Sequence, residues 1–481
     1  MPPQSGGIMV SVMSKLKTVG IWLAIGVVVC AAAIGVVHLP LQLTLVLLGA
    51  VLALILYSRT RVMAFVVILI PTLGLVRRLA AGESGYADSD PLILLPIMLV
   101  VVVLVLSLAH PRVDPDKSFM RFLAVTMAFG VGMAVLLRGA FGVEGLFFAG
   151  LIIVPMMLAV MLSTGRLPSL WDATRRVLPA LAFAVGTYGI FQFFVLPEWD
   201  RAWMLASKLQ SIGHPFPSQV RVFAASESPG PFALFLGLVL TVCLAAAVVE
   251  TRTSRRFWWI VLSAYITYPL LLSGVRSALV SVGICAVILT IVRARGVSRV
   301  LLLAFLFGAY YMLNSVVARF GAGSTILSAD RYSSFSAEDD SLVARQNLIA
   351  SVGNPLKYIV GNPNAPVSDN LYIDILFRYG LVPALALVLF MACITVAAIV
   401  NLNRKHAEAA SLSVVFIAAT AFFGPTFNSL FGILAGVVFG TVMASTRTRP
   451  AKPEKVAQID PNHVRLRMRG RPDQLIPILR R

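Results

Sequence analysis

Read for apolar and polar positions, the chain is a series of long hydrophobic runs separated by short polar segments. The runs do not alternate with period two, so they predict helices and not barrel strands. They fall near Val19–Val37, Leu39–Tyr57, Val62–Val76, Pro91–Ala109, Phe119–Leu137, Val143–Leu162 and Val177–Leu196 in the first half. The second half adds Pro229–Val249, Phe257–Leu272, Ser277–Val292, Val300–Val316, Leu371–Val400, Ser411–Gly424 and Asn428–Ser445. Most approach the length that crosses a bilayer as a helix, and in hydrocarbon a helix satisfies its own backbone groups. The expectation is an all-α, polytopic membrane protein with about 14 transmembrane helices. The run from Leu371 to Val400 is longer than one span needs, which predicts that its first turns lie outside the bilayer or that it tilts.

Composition strengthens this picture. Of 481 residues, 58% are hydrophobic and only 13% charged, too little polar surface for a soluble protein of this size. The opening run follows Lys15 and Lys17 as in a signal peptide, but it is long for an h-region and no small-residue cleavage site follows it. It is expected to remain as the first span.

The formal net charge of +19 is topogenic in its distribution. With the N-terminus in the cytoplasm, roughly 28 of the 40 basic residues fall on the cytoplasmic side, including the tail from Arg447 to Arg481. The chain then divides into a cytoplasmic N-terminus (1–18), a transmembrane domain (19–445) with outer segments 197–228 and 317–370, and a basic cytoplasmic tail (446–481). Both termini are placed in the cytoplasm, and the membrane is expected to be the cytoplasmic (inner) one. The same distribution argues against a nucleic-acid partner and for contact with membrane lipids. Cys30, Cys243, Cys285 and Cys393 lie in apolar runs, and the five histidines are scattered, so no metal or cofactor is expected. Gly432, Gly436 and Gly440 form a GxxxGxxxG stripe, the mark of close helix packing. Trp258, Trp259 and Tyr57 read as interface anchors.

Chemistry is confined to few positions. Arg276 stands between two apolar runs with almost no loop, in Ser273-Gly274-Val275-Arg276-Ser277-Ala278. Its guanidinium suits a phosphate or pyrophosphate headgroup, and a snorkelling anchor is the structural alternative. Arg221 lies in a proline-stiffened outer segment, available to a substrate or to an ion pair with Glu227. Ser368-Asp369-Asn370-Leu371-Tyr372 opens a helix, where Ser368 or Asp369 can cap the N-terminus and Asp369 can also accept a proton from a hydroxyl. Arg331, Arg345 and Lys357 add positive charge to the long outer segment beside Glu338, Asp339 and Asp340, either as a solvated surface or as a funnel for an anionic lipid or glycan. Within that segment 341–352 predicts a surface helix stopped at Gly353-Asn354-Pro355.

These stretches resemble the O-antigen ligase and polysaccharide polymerase (Wzy-like) superfamily of bacterial membrane proteins. The resemblance rests on Ser-Gly-Val-Arg-Ser-Ala-Leu around Arg276, and on the outer loop with Arg345, Asn354-Pro355 and Val360-Gly361 that ends in Ser368-Asp369-Asn370-Leu371-Tyr372. It extends to Tyr379-Gly380-Leu381-Val382-Pro383, and to Arg221 ahead of Ser228-Pro229-Gly230-Pro231, covering roughly Pro197 to Leu430. It implies a GT-C-like, metal-independent glycosyltransferase. The donor it implies is an undecaprenyl-pyrophosphate-linked glycan, the acceptor is a sugar hydroxyl at the outer face, and other polysaccharide export components are possible partners. Arg276 and Asp369 would be catalytic, and Arg221, Arg276, Arg345, Asn370 and Tyr372 would bind substrate. Many ligase-type members carry a histidine where this chain has Asp369, a departure that favours exopolysaccharide polymerisation over ligation. A lipid-linked glycan flippase or transporter, or a non-catalytic export scaffold, is the alternative, although a transporter should carry polar or broken helices at mid-membrane.

Overall fold

The computed structural model describes residues 58–81, 91–110, 118–140, 142–207, 212–320, 352–363, 370–404, 407–424 and 426–446, with single positions 343, 347, 350, 365 and 368. The first two expected spans, Tyr57, Cys30 and the basic tail lie outside the described residues, as do Arg331, Arg345 and Asp369.

Among the described residues there are fourteen α-helices and no strand. In chain order they are α1 (Arg59–Ala81), α2 (Leu95–Leu108), α3 (Phe119–Arg138), α4 (Val143–Ser163), α5 (Trp171–Val195), α6 (Glu198–Ala206) and α7 (Pro229–Val249). There follow α8 (Thr253–Leu272), α9 (Arg276–Val292), α10 (Val297–Phe320), α11 (Leu371–Tyr379), α12 (Leu381–Asn401), α13 (Glu408–Phe423) and α14 (Phe431–Ser445). Each expected span on described residues is therefore helical. Seven of these helices (α1, α3, α4, α5, α7, α10 and α12) are long and apolar enough to cross a membrane, which makes this a multi-pass helical membrane protein. The helices α9, α13 and α14 are shorter, and α13 and α14 are buried around most of their circumference by protein.

One expected span is divided. The run from Leu371 breaks at Gly380, whose φ of +97° lies where side chains are rarely accommodated. The nine-residue α11 is too short to span, and α12 begins directly after Gly380. Asn354 caps a 3-10 turn over Pro355–Tyr358, its Oδ1 accepting from Leu356 N at 2.9 Å. Ahead of it, positions 343, 347, 350 and 352 of the expected surface helix are helical.

The glycine stripe packs as expected. A Cβ on Gly436 would stand 2.6 Å from the Pro155 carbonyl oxygen, so α14 and α4 touch backbone to backbone.

Polar contacts sort the helix ends into two layers. At one end Arg59 reaches His110, Arg121 reaches Ser163, Arg293 pairs with Glu408, and Arg404 donates to Ser445 O. The ends of α1, α5, α8 and α13 and the starts of α9 and α14 gather at the other, and this end carries the candidate site. Trp258 is exposed at the start of α8, which fits an interface position.

Candidate functional site

The site is built from three turns. The first is the α8–α9 junction. Helix α8 closes at Leu272, Ser273-Gly274-Val275 turns the chain, and Arg276 is the first residue of α9. Arg276 is half-buried.

The second turn is the segment from Ile212 to Ser228. Arg221 Nε donates to Ser273 O at 3.0 Å and its Nη2 to Gly274 O at 3.3 Å. The backbone reinforces this, because Val222 N donates to Leu272 O at 3.2 Å. The fold thus lays Arg221 on the turn that ends just before Arg276. Glu227 does not serve as expected. Its carboxylate is taken by Arg77, whose Nη1 lies 2.6 Å from Oε1, because α1 brings its basic end up against this segment.

The segment is held from beneath by residues that gave no signal in the sequence reading. Arg78, at the end of α1, donates to the carbonyls of Ser226 (2.7 Å) and Ala224, and its Nε lies 2.7 Å from Asp200 Oδ1. Gln192 of α5 accepts from Phe223 N and Ala224 N at 3.0 and 2.8 Å, and gives its Nε2 proton to Asp200 Oδ2 at 2.7 Å. Tyr188 donates to the same oxygen at 2.8 Å. Ala224 has a φ of +46°, a conformation costing on the order of 1–2 kcal/mol for an L side chain. Its N–H and its C=O are both engaged, which keeps it there. The sequence signal was available in the Arg77-Arg78 doublet, two adjacent charges at the close of an apolar run.

The third turn leads into α11. The cap is Asn370, not Ser368 or Asp369 as expected. Asn370 Oδ1 accepts from Tyr372 N and Ile373 N at 3.0 and 3.2 Å, while its Nδ2 donates to Phe422 O at 3.2 Å. Ser368 instead buttresses the turn, its Oγ accepting from Asn370 N at 3.2 Å. The Tyr372 ring packs against Phe422, tilted by 50° with centroids 5.2 Å apart, and burial pushes its phenol up to about 12, so it stays protonated near neutrality. One turn further, the fully buried Asp374 accepts from Ser368 N at 2.9 Å and from Asn428 Nδ2 at 3.3 Å. Burial raises the Asp374 carboxyl, and the Ser368 N–H, Arg378 and Asn428 pull it back. Arg378 donates twice to Pro363 O at 3.2 Å and lies 4.2 Å over Phe148. Asp374 and Arg378 are spaced i, i+4 on a short helix, a pattern visible in Leu-Tyr-Ile-Asp-Ile-Leu-Phe-Arg-Tyr.

Arg221 and Arg276 are therefore brought to one turn. Asn370 and Tyr372 sit at the same end of the bundle, tied to the close of α13 through Phe422. Helix α9 packs along α13, with Cys285 Sγ 3.7 Å from Leu412 O and Arg293 paired to Glu408, so the two groups of residues border one helix pair.

No family model matches the chain, and no curated protein matches it.

The arrangement places two guanidinium groups at one turn and a phenol at the same end of the bundle, which suits an anionic amphiphile. Among the described residues no group of histidines, cysteines and carboxylates has the clustering that holds a metal ion.

Proposed function

We propose that this protein is a membrane glycosyltransferase of O-antigen ligase or polymerase type. It transfers a glycan from an undecaprenyl-pyrophosphate donor to a sugar hydroxyl at the outer face of the cytoplasmic membrane, in exopolysaccharide polymerisation. The observation that carries the reading is Arg221 bound across Ser273 and Gly274 beside Arg276, in a chain otherwise almost entirely apolar helix.

In this reaction the acceptor oxygen forms a bond to the anomeric carbon while the bond from that carbon to the pyrophosphate oxygen breaks. The leaving pyrophosphate keeps the electron pair. Guanidinium groups preorganised at the developing charge lower the barrier, because the stabilisation grows as the bond breaks. The proton of the acceptor hydroxyl passes to a base, for which Asp369 is the candidate. Asn370 provides the helix cap, so capping does not account for the carboxylate beside it.

The test is incubation of purified protein with a lipid-linked oligosaccharide. Longer glycans and released undecaprenyl pyrophosphate are expected, and Arg276→Ala should abolish most of both. The broken helix at Gly380, with Asp374 and Arg378 buried in its short half, favours a second reading as a transporter of lipid-linked glycan. That reading predicts movement of the intact lipid across sealed vesicles and no extension in detergent.

A further inference from the structure

The chain after Asn354 crosses the break between α11 and α12 as a strap. Gly361 lies so close to the break that a Cβ there would collide with the Arg378 and Tyr379 backbone, and a Cβ on Gly380 would stand 2.5 Å from Ile359 O. Asn362 N donates to Phe377 O at 2.8 Å, and the Tyr358 ring packs on Phe377 with centroids 4.7 Å apart. The strap is tied to a second helix as well. Arg138, the last residue of α3, donates from Nε to Gly361 O at 3.0 Å and from Nη2 to Val360 O at 3.4 Å.

Fastened on its inner side, the strap turns apolar side chains outward. Leu356 and Ile359 are 61% and 60% exposed, and Val360 is exposed beside them. Pro355–Tyr358 is a 3-10 turn that Ile359 closes in helical conformation, so Leu356 and Ile359, three residues apart, share one face. Lys357 is exposed between them.

The register of α3 against α12 gives the depth of this face. A Cβ on Gly130 would stand 3.1 Å from Pro383 Cδ, so these two residues are level. From there α3 continues eight residues to Arg138, about 12 Å, whereas Pro383 is only the third residue of α12. The end of α3 outruns the start of α12, and the strap lies beside it in place of α12. Helix α3 has 20 residues, about 30 Å, the thickness of the hydrocarbon core. Its last turn exposes Leu136 and Leu137 just ahead of Arg138, an apolar-to-basic step that belongs where hydrocarbon gives way to headgroups. Leu356, Ile359 and Val360 continue that apolar surface at the same depth.

We propose that the strap is an in-plane membrane anchor. Leu356, Ile359 and Val360 sit among the acyl chains of the leaflet at the candidate-site end, with Lys357 and Arg138 toward the lipid phosphates. Apolar side chains beside cations are what segments lying in the interface carry. Through Phe377 and Gly380 the anchor holds α11, with Asn370 and Tyr372, near headgroup level. The inference needs only that the protein spans a membrane, so it stands whether or not glycosyl transfer does.

The test uses the full chain with Cys30→Ala and Cys393→Ala, reconstituted in vesicles of phosphatidylethanolamine and phosphatidylglycerol. An environment-sensitive nitrobenzoxadiazole label is attached at Ile359→Cys, and at Leu137→Cys as the lipid-facing reference. Ile359→Cys is expected to match the reference: blue-shifted emission, loss of fluorescence with phosphatidylcholine carrying a nitroxide on its acyl chain, and little loss with aqueous iodide. Quenching of Ile359→Cys by iodide and not by the nitroxide lipid puts the strap in water and overturns the proposal. Quenching by neither, with the reference quenched by the lipid, also overturns it, because protein then covers the face, either a further part of this chain or a second copy. Leu356→Cys, on the same face, repeats the measurement and decides if Ile359→Cys does not fold. The label is read without turnover, so an inactive preparation does not affect the result.

Discussion

Arg78 and Asp200 form a buried ion pair, Nε to Oδ1 at 2.7 Å, between the end of α1 and the short helix α6. Neither side chain is more than 1% exposed. Tyr188 and Gln192 donate to the other Asp200 oxygen, and the Ala224 and Ser226 carbonyls accept from the two terminal nitrogens of Arg78. The product of the pair is the course of the chain from Phe223 to Ser226, and through it the position of Arg221.

Breaking such a pair on one side costs on the order of 3–5 kcal/mol, because an unpaired charge stays buried. Arg78→Met is expected to lower the unfolding temperature in detergent and expose the 212–228 segment to protease. Asp200→Asn keeps an acceptor for Tyr188 and Gln192 and is expected to be milder. The ranking is read by thermal unfolding and limited proteolysis of both variants.

Arg276→Ala should reduce glycosyl transfer by about 10²–10³-fold, the scale of one lost preorganised donor. Arg276→Lys keeps the charge without the planar fork and should recover only part. Insertion is expected to be unharmed, since removing a charge near a span eases it. Turnover normalised to folded protein checks this, and equal rates for wild type and Arg276→Ala would remove the pyrophosphate role.

Asn370 and Asp369 are neighbours with separable tasks. Asn370→Ala should cost about 1 kcal/mol of stability, the usual effect of losing a helix cap. Asp369→Asn should leave stability nearly unchanged and lower turnover by about 10²–10⁴-fold, as loss of a general base does. Melting curves and rates measured on both variants separate cap from base. Full activity in Asp369→Asn would assign the proton elsewhere.

Gly436→Ala places a Cβ 2.6 Å from the Pro155 oxygen and 2.8 Å from its Cα. Neither backbone atom can rotate away, so α14 must withdraw from α4. Overpacking of this kind costs roughly 1–3 kcal/mol. The expected result is reduced thermal stability, with a larger loss for Gly436→Leu.

The two end layers predict sidedness. Phe216 is 54% exposed at the Arg221 end and Trp258 67% exposed at the other. Labelling of intact spheroplasts with an impermeant maleimide should modify Phe216→Cys and spare Trp258→Cys until lysis. The reverse pattern would invert the proposed orientation and move the candidate site to the cytoplasm.

The sequence by itself determined that the protein is a helical membrane bundle, where most of its helices lie, and which glycines let two of them touch. Those properties are local: a run of apolar residues must form a helix in hydrocarbon whatever its neighbours do. It also singled out Arg276 and Arg221, because charges are conspicuous in an apolar chain. Only the tertiary structure decided what those residues touch. Glu227, near Arg221 in sequence, went to Arg77, 150 residues away. Asn370 took the cap from Ser368 and Asp369, because the backbone turns into the helix at Asn370 (φ −118°, ψ 121°) with its amide within reach of Phe422 O. The Arg78–Asp200 pair and the bonds from Arg78 to the Ala224 and Ser226 carbonyls were hidden, because a buried charge is tolerated only where distant segments supply its partners, and pairings across more than 100 residues leave no period in the sequence.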